Sequence, residues 1–355
     1  MEQTATHLQA RSRCTTGIRW AAGRFAWWVR AELGETSIAR QMNGRRPRHG
    51  RSGLGRGVLL MRSYAELTKA RLTSLVVLTA GVGFVMAGRS PLDVPALAWT
   101  VLGTALAAAG SMALNQVIEA DRDARMERTK GRPLPVGTIG RRHALLLGLL
   151  MASAGLALLA VRANVRTALL GLTVVLVYTL VYTPLKARTP LCTLAGAVCG
   201  AIPPMMGWSA TGAALSFGAW VLGGVLFLWQ IPHFMSLAWL YREDYRRGGF
   251  RMLPVVDPSG RTTGLIAVLY TLALLPVGML AVLGGMTGWL FAVGSLALGL
   301  GLVKLALRLA ALRTDLVARR LFLATLAYLP LLLGLMVADR VPGAARLTVA
   351  ALVVR

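Results

Sequence analysis

The chain has 355 residues, 55% of them hydrophobic, a mean hydropathy of +0.60 and a formal net charge of +25. So apolar a chain of this length is not one soluble core of ordinary composition, and it reads as a polytopic membrane protein. The charge does not mark a nucleic-acid binder: no recognition motif accompanies it, and the cations gather between apolar runs. Cys14, Cys192 and Cys199 have no metal-ligand spacing and imply no disulfide.

Residues 1 to 62 carry twelve Arg and three Glu, with Trp20, Trp27 and Trp28 among them and no run long enough to span a bilayer. This is not a secretory signal. Its composition fits a basic segment lying on anionic lipid, an Arg-rich targeting peptide, or sequence upstream of a true start at Met61, where the text changes character. We therefore expect a basic extension over 1–61, a transmembrane domain over 62–340 and a short tail over 341–355.

Nine apolar runs follow, at about 72–88, 95–117, 143–161, 165–183, 190–211, 216–238, 263–283, 286–306 and 320–338. Most approach the ~20 residues that cross hydrocarbon as a helix. The predicted fold is all-α, with nine transmembrane helices. Loops 119–142, 184–189, 239–262 and 304–320 are basic, whereas the intervening ones hold Arg89, Arg162 and Arg166 or no charge. The positive-inside rule puts the basic loops and the N-terminus in the cytoplasm and, with an odd number of spans, the C-terminus outside. Pro203 and Pro204, in GAVCGAIPPMMGW, suit close helix packing with local breaks.

The stretch NQVIEADRDARMERTKGR, 115–132, departs from this pattern. Asn115, Glu119 and Asp123 recur every four residues and line one helical face, drifting about 40° per step, while Asp121 points away. If the run from Pro95 is one helix, these acids stand at its C-terminal end, where the macrodipole disfavours them. A solvated charged loop is the plainer reading; the chemistry that asks for such acids is Mg²⁺ binding, one or two carboxylates with water and phosphate completing the shell. Arg128 and Arg132 would face that phosphate. In YTPLKARTP, Tyr182, Lys186 and Arg188 lie at the same membrane surface, where interfacial anchors are also common. In WLYREDYRRGGF, Glu243 and Asp244 form a second acid-bearing mouth, again at the C-terminal end of an apolar run. Two such mouths on one side suggest a diphosphate site between two halves, beside an apolar cavity for a lipid tail.

Asn115-xxx-Glu119-xxx-Asp123 followed by RTKGRPLP at 128–135 resembles the first acidic motif, and the RT-x-x-RPL after it, of the UbiA-type intramembrane prenyltransferases. KARLTSLVVLTA at 69–80, YTPLKARTP at 182–190 and WQIPHFMSLAWLYREDYRRGGFRMLP at 229–254 resemble the haem-modifying branch. Glu119 stands where many members have Asp, Ala70 where Pro is usual, and Ala187 and Cys192 where a cation and Asn are usual. Gly248, four residues after Asp244, replaces the second acid of quinone-type relatives.

The resemblance implies nine helices around a central cavity in the cell inner membrane, with transfer of a farnesyl group from farnesyl diphosphate to haem B. It implies Mg²⁺ on Glu119, Asp123 and Asp244, with help from Asn115. Glu243 is a weaker candidate beside these ligands; Arg128, Arg132, Lys186 and Arg188 would neutralise diphosphate, and Tyr182 would donate to it. His233, the one histidine inside an apolar run, would lie about 16 Å below Asp244 if the helix continued to that acid; it either binds haem or bonds a neighbouring helix. Haem A synthase or a respiratory oxidase is an expected recipient of the product. A quinone-type prenyltransferase and a non-catalytic assembly factor are the alternatives. A transporter fits less well, because it would usually bind at the bilayer midplane.

Overall fold

The computed structural model describes residues 53–88 and 91–341, with side chains from residue 57 onward. The basic extension, Cys14, Arg89 and the apolar tail LTVAALVVR lie outside the described residues. A compact unit begins at Gly57. Among the described residues there is no β-strand, only an isolated bridge between Thr287 and Arg340.

A first helix, α1 (Gly53–Leu67), leads into α2 (Ala70–Ala87), α3 (Val94–Asp123), α4 (Arg141–Arg162) and α5 (Val165–Leu176). The last continues through a π-helical segment, Val177–Tyr182, into a final turn, Thr183–Leu185. Then come α6 (Cys192–Ala210), α7 (Phe217–Leu240), the short α8 (Arg242–Arg247) and α9 (Leu253–Val256), and the long α10 (Arg261–Leu283), α11 (Trp289–Leu312) and α12 (Asp315–Ala338). The nine expected runs are thus nine long helices among the described residues. Eight are long and apolar enough to cross a membrane; α6 is the ninth and less apolar.

Local chemistry explains the starts. The Asp93 carboxylate accepts from the Ala96 amide at 2.9 Å, and Pro95 occupies the first turn of α3. Asn164 caps α5 through the Thr167 amide at 2.9 Å, and its own amide donates to the Ser209 carbonyl at 2.7 Å, joining α5 to α6. Between α1 and α2 the chain turns at Lys69, which takes φ 44°, a left-handed conformation that costs a β-carbon residue energy.

The apolar pattern is that of a membrane bundle. Leu146 and Leu150 of α4, Val293 and Leu300 of α11 and Leu331 of α12 are exposed, as lipid permits. Inside, Leu222 and Trp229 of α7 pack with Phe291 of α11 and Leu329 of α12. Helix α6 is the most enclosed: its residues 202–210 are all buried. Pro203 and Pro204 do not break it, and its glycines bring bare backbones together. A Cβ on Gly207 would lie 1.8 Å from the Ala80 carbonyl oxygen, and one on Gly83 would lie 1.9 Å from that of Pro204. Helices α2 and α6 therefore touch main chain to main chain, the small-residue packing that substitutes for a hydrophobic drive in lipid.

Two expectations are corrected. Tyr241 leaves helical geometry at φ −109°, ψ 22°, so α7 ends at Leu240 and Glu243 and Asp244 occupy the first turn of α8, where the dipole favours acids. The dipole argument holds for Asp123 and fails for these two. The same break shortens the vertical separation between His233 and Asp244, because seven residues of α7 above His233 rise only about 10 Å.

Gly207→Val forces α2 and α6 apart, and overpacking of this kind costs about 1–3 kcal/mol. Thermal unfolding of the detergent-solubilised protein is expected to shift down by several degrees, with little change for Gly301→Val, whose Cβ position meets nothing within 4 Å.

Candidate active site

The last two turns of α3 carry Asn115, Glu119 and Asp123 on one buried face, with relative exposures of 0%, 2% and 1%. Asp121, on the opposite face, is exposed and pairs with Arg141. Carboxylates so buried must be compensated, and each has its own cation. Lys186 Nζ donates to Glu119 Oε1 at 2.8 Å, Arg132 donates to Asp123 Oδ2 at 2.6 Å, and Lys69 Nζ donates to Asn115 Oδ1 at 2.6 Å. The Asn115 amide donates in turn to Thr183 Oγ1 at 2.9 Å, which ties α3 to the end of α5. Asp123 Oδ1 is buried and accepts no hydrogen bond among the described residues.

Asp244, the third expected metal ligand, is engaged with the main chain of another element. Its carboxylate accepts from the amides of Glu127 at 3.2 Å and Arg128 at 3.0 Å, and from the Arg247 side chain at 2.8 Å. It clamps the loop after α3, the loop that bears Arg128 and Arg132, and so joins the two acid-bearing mouths. Thr129 Oγ1 donates to the Asp123 carbonyl at 2.9 Å and tightens the same loop. The Arg128 guanidinium lies over the Tyr241 ring at 5.0 Å. Among the described residues no three acids, imidazoles or thiols gather as a ready-made metal cage.

Lys186 is held between aromatic faces, 4.9 Å from the Tyr182 ring centroid and 5.4 Å from that of Phe250. Burial works against its charge, but Glu119 and neighbouring tyrosines outweigh it and hold the ammonium above its ordinary range. Phe250 is itself buried and packs with Met126, Cys192, Tyr245 and Met252 beneath the cations.

Arg188 and Glu243 do not join this group. Arg188 is exposed, and Glu243 is exposed and paired with Arg246. Lys69, Gln116 and Thr183 belong to it and escape sequence reasoning as site residues. The signal for Lys69 was present in KARLTS, but only the helix turn at φ 44° shows that its side chain doubles back onto α3. Gln116 holds that turn by donating to the Glu66 and Leu67 carbonyls at 2.7 and 3.1 Å. Desolvation, with Arg132 next, pushes the Lys69 ammonium down to about 7.

Glu119 and Asp123 one turn apart, Asn115 beside them and an uncommitted carboxylate oxygen on Asp123 fit a hard cation that shares its shell with water and phosphate. Lys69, Arg128, Arg132, Lys186 and Arg247 outnumber the acids Glu119, Asp123 and Asp244, which suits an anionic ligand. Bundle and site together define an intramembrane helical protein that receives a phosphorylated, lipid-like substrate at one membrane face. The UbiA prenyltransferase family model matches residues 76–328, and the chain belongs to that family.

The chain is 42% identical over 292 residues to protoheme IX farnesyltransferase of Solibacter usitatus, a match covering 80% of this chain and 100% of that one. Among solved structures, it resembles a UbiA homolog from Aeropyrum pernix K1 with a TM-score of 0.61 and 21% identity, over 75% of this chain and 96% of that one. It also resembles a UbiA homolog from Archaeoglobus fulgidus bound to GPP and Mg²⁺, with a TM-score of 0.54 and 16% identity, over 77% and 99%. These two likenesses concern the fold.

Asp123→Asn is expected to lower prenyl-transfer turnover by about 100-fold or more, the cost of losing one preorganised electrostatic contact at a reacting centre. Asp121→Asn, on the exposed face, should leave it little changed. Equal losses from the two, measured on membrane-inserted protein at matched expression, would overturn the one-face geometry.

Proposed function

We propose that this protein transfers the farnesyl group of farnesyl diphosphate to a vinyl group of haem B, with addition of water, to give haem O. The observation that carries the reading is the set of buried, individually neutralised acids at the mouth of an apolar bundle, with Asp123 Oδ1 left uncommitted. The name of the relative that this chain matches over four-fifths of its length points to the same acceptor and donor. An isoprenoid tail suits the apolar interior, and a diphosphate suits the cations at its mouth.

Asn115, Glu119 and Asp123 are the residues that would hold Mg²⁺, whose bound charge would stabilise the departing diphosphate. Asp244 supports them indirectly by fixing the loop that brings Arg128 and Arg132 to the phosphates. Lys186 and Lys69 complete the neutralisation on the other side, and Tyr182, whose ring lies against Lys186, would donate to the diphosphate. The C1–O bond of farnesyl diphosphate breaks, the vinyl carbon of haem attacks C1, and water adds to the adjoining carbon with loss of one proton. The apolar walls keep bulk water from the allylic cation until that bond forms. Haem A synthase or a respiratory oxidase would receive the product. The positive-inside rule supports a site on the cytoplasmic side of the inner membrane, with the N-terminus inside and the C-terminus outside.

Purified protein incubated with haem B, farnesyl diphosphate and Mg²⁺ is expected to yield extracted haem heavier by one farnesyl group and one hydroxyl by mass spectrometry. Unchanged haem B, with a phenolic acceptor consumed instead, would move the chain to the quinone-type branch. Lys69 supplies a second check. An anion beside its ammonium favours the charged form, so binding should raise its depressed pKa and take up a proton at pH values above about 7. Calorimetry of inorganic diphosphate binding with Mg²⁺ at pH 8, in buffers of different ionisation enthalpy, should show that uptake in the wild type and its loss in Lys69→Met.

A further inference from the structure

His233 lies in α7 about 10 Å below its cytoplasmic end, away from the charged mouth. Its ring is stacked between Trp229, at 5.2 Å between centroids, and Phe322 of α12, at 4.9 Å. His233 Nδ1 and Thr325 Oγ1 are 3.0 Å apart. The Thr325 hydroxyl has a single proton and directs it to the Phe322 carbonyl at 2.6 Å. Toward the imidazole it offers only lone pairs, so Nδ1 carries the ring proton and donates it. Trp229 Nε1 donates to the Thr325 carbonyl at 2.8 Å and holds the same turn of α12.

Nε2 is then a bare lone pair on a ring fixed in position and tautomer, and no hydrogen bond to it forms among the described residues. His233 as a residue is of intermediate burial. A packing role alone accounts poorly for this arrangement, because phenylalanine fills an aromatic stack without leaving an unsatisfied acceptor in a membrane interior. The pattern of one ring nitrogen donating to an oxygen while the other keeps its lone pair free is the one that metal-ligating histidines adopt.

We infer that His233 Nε2 is an axial ligand to the iron of the haem substrate, and that Thr325 sets its tautomer. The inference rests on the haem reading above. It would give the acceptor a fixed point inside the bundle. The residue acts by positioning and takes no part in bond making.

The test is titration of the full-length, detergent-solubilised protein with ferric haem and, separately, with metal-free protoporphyrin IX, which has the same edge and no iron. His233→Ala is expected to bind ferric haem at least about tenfold more weakly with a displaced Soret band, to recover the wild-type band on addition of imidazole, and to bind metal-free porphyrin and farnesyl diphosphate as the wild type does. Thr325→Val, which keeps the shape but removes the acceptor, should shift the Soret band and the haem midpoint potential while retaining haem. An unaltered ferric spectrum in His233→Ala, or equal weakening toward both porphyrins, overturns the ligation. Failure of the wild type to bind either porphyrin overturns the haem reading itself.

Discussion

Carboxylates cannot be sunk to 1–2% exposure at a membrane face unless a cation is brought to each, and that requirement organises this molecule. Lys69 arrives because the chain reverses between α1 and α2 in a left-handed turn. Lys186 arrives because α5 widens into a π-helical segment before its last turn, the kind of local irregularity that re-aims side chains at working sites. Arg132 arrives because its loop is pinned by Asp244 from the other half of the chain. The cost of the strained turn and the irregular helix is thus offset at the site they serve.

This arrangement also shows how a ligand that is itself anion and cation would be received. In the ligand-free protein each acid is satisfied by a neighbouring base. A diphosphate with its metal ion offers the same charges in exchange: phosphate oxygens for Lys186 and Arg132, and a divalent ion for Glu119 and Asp123. Neither half of the ligand alone completes the exchange, since diphosphate by itself would strand the acids and metal by itself would strand the bases. The uncommitted Oδ1 of Asp123 is where that exchange has the least to displace.

Much of this was legible in the residues. The nine runs gave nine helices, and the spacing of Asn115, Glu119 and Asp123 placed them on one face, with Asp121 on the other. What the sequence could not show was where helices stop. WLYREDY is apolar up to its charges with no proline or glycine to mark an end, so the break at Tyr241 was invisible, and with it the change of Asp244 from a helix-mouth ligand to a loop clamp. Glu243 and Arg188 looked equivalent to their buried neighbours because adjacency in sequence says nothing about which side of a short helix or turn faces inward. Lys69 was hidden for the opposite reason: its partner is 46 positions away, and nothing local announces a positive φ at lysine.

Helix α6 carries a further consequence, for biogenesis. It is the span least able to enter lipid on its own merits, having two prolines and three glycines, yet the bundle buries most of it once assembled. Such a segment would need its neighbours α2, α5 and α7 to shield it on leaving the translocation machinery. A ribosome-bound chain in which α6 slipped through to the far side would have every later loop inverted. Asp244 and Arg247 would then mature across the bilayer from Glu119 and Asp123, in a protein containing every functional group and no assembled centre.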